Sequence, residues 1–411
     1  MAEQPGNPQT TKVDAQAPPP ALSSGEAEEL VGDQEFGEAY GEQLKRTLDL
    51  DTWATGIDWE GAVARLKSEI RDAVTREEKL RRIVQKKLLP LIGKRDGAPS
   101  VAGVWATTPE EIAKVHEGLL FPGRVEAVDG TSVSHDTLPL GITQIGIALV
   151  SYGGASATFS QRVFRKELAG KSADPVKAAL EIIDRRGGKG DGGRKEGTMS
   201  ELGRRGIMAY AERKVLTDKA TSDWRLGHGA PAPYELLTGS GSMRLLEASL
   251  EVLARMIAYE KFVFVPRSLA ERGLLTIGNA LDAGQYAIIG TMDSRMRAIV
   301  DGGHYAKQYR EEALAFVEAH GSDLLFGLYR ASEHSPAQLF YAHRNQVHMA
   351  ARIAIADSVL RPARGFPMLI DVADTTCKSA FGAAGFMGLI HDAYSQAGVP
   401  LRYLSDRETS R

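Results

Sequence analysis

The most regular alternation of apolar and polar positions runs from Arg124 to Phe164 (RVEAVDGTSVSHDTLPLGITQIGIALVSYGGASATFSQRVF). It predicts three strands in succession. Arg124–Val128 is short and apolar and ends at Asp129. Gly141–Tyr152 is long and rich in Ile and Val, and Ala157–Phe164 follows a tight Gly153-Gly154 connection. A buried strand that ends in Asp-Gly-Thr sets one carboxylate at the rim of a sheet, and Gly130 lets the backbone turn away. Asp-Gly is also a common hairpin turn, so the pair alone implies no more than a reversal.

Helical spacing marks the flanks. From Asp58 to Ile92, Val63, Leu66, Ile70 and Val74 recur at three and four residues, and Leu80, Val84 and Leu88 continue the pattern. The opposite face carries Lys67, Arg71, Arg76, Arg81, Arg82, Lys86 and Lys87. This predicts a long helix packed on the core with a solvated charged face; the alternative is an arm that meets a subunit or DNA. After the strands, Pro175–Arg186 reads as a short helix. RRGGKGDGGRKEG (185–197) reads as a Gly-rich loop with five Lys or Arg, among them Lys189 and Arg194. Such a loop is a linker or a sliding contact with phosphates. Ser200 to about Leu216 is predicted as a helix, with Glu201 and Glu212 on one face.

Further strands are predicted at Tyr234–Gly239, Lys261–Val265, Tyr286–Gly290, Asp323–Tyr329 and 368–374 (MLIDVAD, with Asp371 and Asp374). A helix follows at about Ala380 to Ala397. His343 and His348 are five apart, so they do not stack as a metal pair on a helix and read as structural or surface residues.

Composition narrows the picture. A single cysteine, Cys377, excludes an intramolecular disulfide and fits a reducing cytoplasm; a small core residue is its expected role. No apolar run approaches the ~20 residues of a membrane span, and the polar, acidic MAEQPGNPQT does not read as a signal peptide. Residues 1–32, with APPPALSSGEAEE, are expected to be a disordered tail. The formal net charge of −3 counts modestly against a free-standing duplex-DNA binder.

A meander of three strands, then a helix, then further strands and helices is the order of an RNase H-like fold. AVDGTSVS followed by ITQIGIALVSYGG is similar to the opening of the NurA nuclease family, and the resemblance runs from about Arg124 to the C-terminus. It implies an α/β fold, an RNase H-like mixed sheet flanked by helices. The expected domains are the tail (1–32), a helical extension (33–118) and the NurA-like domain (119–411). It also implies Mn²⁺ or Mg²⁺ as cofactor, DNA as substrate, a homodimer, and a HerA-type translocase as partner in end processing or anti-phage defence. Asp129 and, on AYAERKVL, Glu212 match the family's metal ligands. Arg267, after KFVFV, matches a basic residue that meets a phosphate.

Two family features are missing. A second Asp-Gly is expected after the next strand, and reading that strand as YELLTG puts Thr238 there, a weak neutral ligand. The C-terminal Tyr and His positions hold Val399 and, nearby, Arg407. Asp371 and Asp374 are the candidates to compensate, with Asp371 grouped with Asp129 and Glu212 as catalytic. Arg407 would join Arg267, Lys189 and Arg194 on nucleic acid. Hydrolysing a phosphodiester through two ions roughly 3.5–4 Å apart needs three or four carboxylates. The family match supplies two. The alternative is a NurA-like adaptor with weakened catalysis that binds and regulates the translocase.

Overall fold

The predicted meander is present and longer than its pattern suggested. The computed structural model describes residues 32–53, 59–136, 140–154, 158–167, 174, 176–177, 201–267, 272–303, 305 and 307–401. In it, β2 (Val125–Asp136), β3 (Leu140–Val150) and β4 (Thr158–Glu167) pair antiparallel in sequence. Asp129-Gly130 is therefore no turn. The strand passes straight through it and pairs with Ala148 and Ile147 of β3. The tail, most of the Pro175–Arg186 helix and the 185–197 loop lie outside the described residues.

The remaining strands are β1 (Gly103–Ala106), β5 (Trp224–His228), β6 (Phe262–Val265), β7 (Gln285–Thr291), β8 (Leu324–Tyr329) and β9 (Gln338–His343). The sheet order is β1-β7-β8-β9-β6-β5-β2-β3-β4. Strands β2, β5 and β6 run parallel, and every other pairing is antiparallel. Strands β4-β3-β2-β5-β6, with a helix after β4 and another after β5, form the expected meander-then-helix core.

Helices cover both faces. Glu201–Asp218 and Met243–Tyr259 pack with Val128, Ile147, Leu149, Phe262 and Phe264 on one side. Val347–Ser358 and Met368–Phe381 pack with Val125, Ala127, Val150 and Val263 on the other. Two predicted strands are corrected. Tyr234–Leu237 is a short helix that begins after Pro233. MLIDVAD opens the helix Met368–Phe381, whose buried Leu369, Ile370, Ala373 and Cys377 recur at helical spacing.

The chain divides into two units, to Arg76 and from Glu77. In the first, Asp33–Tyr40 and Leu44–Thr47 are short helices, and Trp53 Nε1 donates to the Thr47 carbonyl. The long helix Trp59–Ile83 starts there, as the spacing predicts. The second unit includes β1.

Candidate functional site

The site forms where β2 outgrows its parallel neighbour. Strand β5 pairs with β2 only over Val125–Val128. From Asp129 onward that edge of β2 has no strand partner among the described residues, so side chains from both layers can meet there. Asp129 shares the parity of Val125 and Ala127 and faces the Met368–Phe381 layer. Gly130 faces the Glu201–Asp218 helix. A Cβ at Gly130 would stand 2.8 Å from Glu212 Oε1, 2.7 Å from Met208 Cγ and 2.9 Å from Ile147 Cδ1. The glycine is needed for the approach of Glu212, not for a turn.

The two carboxylates converge on one amide. Gly130 N–H donates to Asp129 Oδ1 at 3.0 Å and also hydrogen-bonds Glu212. Asp129 is 3% and Glu212 5% exposed. Burial is the main force raising the Glu212 pKa, and the Asp129 charge adds to it. Arg213, itself buried, opposes the rise through an ion pair with Glu212. Arg213 also donates to the Ala230 carbonyl and lies over the Phe264 ring at 5.0 Å.

Three further elements add charge. His228, the last residue of β5, places Nδ1 3.6 Å from Asp129 Oδ1. Arg267, just past β6, places one nitrogen 3.4 Å from Asp129 Oδ2 and 2.7 Å from Asp374 Oδ2. Lys378 Nζ reaches the same Asp374 oxygen at 3.0 Å. Asp129, Glu212 and Asp374 thus face Arg213, Arg267 and Lys378, with His228 beside them. The centre lies at the carboxyl ends of parallel strands, where ligands bind in open α/β sheets.

The structure brings Asp129, Glu212 and Arg267 together as the sequence suggested. It does not bring Asp371 to them: that carboxylate is taken by Arg361 (3.0 Å) and Arg364 (2.9 Å), and Asp374, one turn on, is the carboxylate at the centre. Thr238 is also elsewhere. It ends the Tyr234–Leu237 helix and donates Oγ1–H to the Tyr234 carbonyl. The strand that follows the Glu212 helix is β5, and it ends in His228-Gly229. The position expected for Thr238 therefore holds a histidine. Trp224 and Leu226, alternating around Arg225 before His228-Gly229, were the available signal. Lys189, Arg194 and Arg407 lie outside the described residues. Cys377 is buried, donates to the Gly146 carbonyl at 3.3 Å, and is pushed up to about 12, first by burial and then by Asp129. It is a core thiol, as expected.

The donor set limits what metal could sit here. Among the described residues, no group of three or more His, Cys, Asp or Glu could hold an ion. Asp374 is engaged by two cations and Asp129 by one. The residues do not fit the expected two-ion centre. Two carboxylates around one amide fit a single hard cation whose other ligands are water and substrate oxygens.

No protein-family model and no curated protein matches the chain. Solved structures do. The chain is similar to the NurA nuclease from Sulfolobus solfataricus at 10% identity, covering 84% of this chain and 98% of that one, with a TM-score of 0.45. It is similar to NurA bound to dAMP and manganese at 8% identity, over 77% and 93%, with a TM-score of 0.38. It is similar to Endonuclease V from Bacillus subtilis at 10% identity, over 68% and 92%, with a TM-score of 0.31. The likeness to NurA nuclease structures expected from the sequence is thus found, as a likeness of fold.

Proposed function

We propose that this chain is a metal-dependent phosphodiesterase acting on DNA, with Asp129 and Glu212 as the protein ligands of one Mg²⁺ or Mn²⁺. The carrying observation is the convergence of these two buried carboxylates, from different elements, on the Gly130 amide at a strand rim. When bound, the ion would polarise a phosphoryl oxygen and lower the pKa of a bound water. Arg267, about a third exposed, is placed to hold a phosphate oxygen by exchanging its contact with Asp374. His228 faces Asp129 Oδ1 and orients that carboxylate, and its own ring is set by the edge of Phe366 at 6.4 Å. On the sequence resemblance, the chain works in the cytoplasm as a homodimer with a HerA-type translocase, in DNA end processing or anti-phage defence. A motor that supplies DNA affinity suits a chain of net charge −3.

A second reading has its own observation. His228 ends β5 where a carboxylate is expected, and Arg213 and Arg267 already neutralise the carboxylates. That favours an adaptor that binds and regulates the translocase without cutting. Cleavage of linear and single-stranded DNA with Mn²⁺ or Mg²⁺, with and without the translocase, separates the two. Cleavage that disappears in Asp129→Ala supports the nuclease. Absence of cleavage under all conditions, with the translocase still bound, leaves the adaptor.

A further inference from the structure

The loop 359–367 joins the helices Val347–Ser358 and Met368–Phe381. Arg361 and Arg364 both project from it onto Asp371, whose side chain is only 11% exposed. The two arginine side chains are themselves 50% and 45% exposed. Two cations on one anion leave a local surplus of positive charge. One nitrogen of each is committed to Asp371. Among the described residues, their other side-chain nitrogens make no further hydrogen bond.

The loop that carries them is fixed. Arg364 N–H and Gly365 N–H both donate to the Arg361 carbonyl at 3.0 Å, and Ser332 Oγ donates to the Pro362 carbonyl at 2.6 Å. Gly365 has φ +61, and a Cβ there would stand 2.4 Å from Ser335 Cβ, so the backbone is held close to its neighbour. The arginines are therefore oriented before any ligand arrives, which lowers the cost of ordering them on binding.

Their place in the molecule is specific. Arg364 lies over the Phe366 ring at 5.3 Å, and Phe366 meets His228 edge-on at the carboxylate centre. Asp371, Asp374 and Lys378 share one face of the Met368–Phe381 helix, each about one turn of ~5.4 Å after the last. Arg361 and Arg364 sit on Asp371, Arg267 and Lys378 on Asp374. The result is a row of half-exposed cations that leads to Asp129. A row of cations at helical-turn intervals matches a ligand with repeating negative charge.

We propose that Arg361 and Arg364 form a preset clamp for the sugar–phosphate backbone of a nucleic-acid strand, one step away from the carboxylate centre. The inference rests on the nuclease reading for its location, but its test does not need cleavage. Binding of a labelled single-stranded DNA to the full chain is followed by fluorescence anisotropy, in EDTA, across about 50 to 200 mM salt. Two phosphate contacts predict that Arg361→Gln/Arg364→Gln flattens the slope of log K against log salt by about 1.4, with affinity at the lowest salt falling roughly tenfold or more. Arg364→Gln alone should flatten it by about 0.7. Arg361→Lys/Arg364→Lys keeps the charge and should keep the slope. Thermal melts read folding, and the single and lysine variants carry the test if the double glutamine variant does not fold. An unchanged slope in the glutamine variants overturns the clamp. So does a wild type without salt-dependent DNA binding, or one that binds an acidic polypeptide in place of DNA. A reduced slope beside a wild type that never cleaves would keep the clamp and remove the nuclease.

Discussion

Asp129 and Asp357 are both buried carboxylates against the Met368–Phe381 helix, yet they are satisfied in opposite ways. Asp357, fully buried, accepts from Tyr152 Oη at 2.6 Å and from Leu369 N–H at 2.8 Å, so it closes the first turn of that helix with neutral donors. Asp129, beside the middle of the same helix, faces Arg267 and His228, which are 37% and 29% exposed. The first arrangement can only hold the fold together. The second is a charged group whose partners reach solvent and can change partners when a ligand enters. Neutral closure against open charge is the difference between a structural carboxylate and a candidate functional one.

Breaking the charged side should cost most. Glu212→Ala removes the ion-pair partner of Arg213, 2% exposed, whose other hydrogen bonds among the described residues go to carbonyls, with Glu235 and Asp129 acting on its charge only more weakly. An uncompensated buried charge costs about 3–5 kcal/mol. Denaturant melts should show a loss of that size, and Glu212→Ala/Arg213→Met should recover most of it while leaving the site without its second carboxylate. Recovery of stability without recovery of cleavage is the expected outcome. A single variant as stable as the wild type would mean that Arg213 is not held by Glu212.

The neutral side gives a pH signature. Burial, the largest cause, lifts Asp357 from the usual 3.8 to about 6, against the Tyr152 and Leu369 hydrogen bonds that lower it. The folded state therefore keeps this proton to higher pH than the unfolded chain does. The stability it contributes is complete below pH ~3.8 and lost as pH rises through ~6, about 3 kcal/mol in all. Unfolding free energy measured from pH 3 to 8 should fall with pH by that amount more in the wild type than in Asp357→Asn. Parallel profiles for the two would refute the assignment.

Sequence reasoning recovered the elements whose patterns are long. The meander, the Glu212 helix, β6, β7 and β8 follow from apolar runs, and with them Asp129, Glu212 and Arg267. It missed β5 because WRLGH carries an arginine at its second position. Arg225 is tolerated there only because its guanidinium lies 3.4 Å over the Tyr259 ring and donates to the Leu216 carbonyl, partners invisible in the local sequence. It took MLIDVAD for a strand because a short apolar run has the same composition in either state. Both errors reached the site. Missing β5 put Thr238 where the structure has His228, and a strand in place of a helix hid that Asp371 and Asp374 share a face but hold different cations.

The smallest expected effect tests that displacement directly. Thr238 Oγ1 bonds only its own helix's Tyr234 carbonyl among the described residues, at 2.8 Å. Thr238→Val keeps the shape and removes one hydrogen bond, a change of about 1 kcal/mol or less. Cleavage should be unaltered, because no charge or ligand at the centre changes. His228→Ala should be different: it removes the ring that β5 places 3.6 Å from Asp129 Oδ1, so activity and its metal dependence should both move. If Thr238→Val changed metal dependence and His228→Ala did not, the end of β5 would not be the third corner of the site, and the convergence of Asp129 and Glu212 on Gly130 would have to act without it.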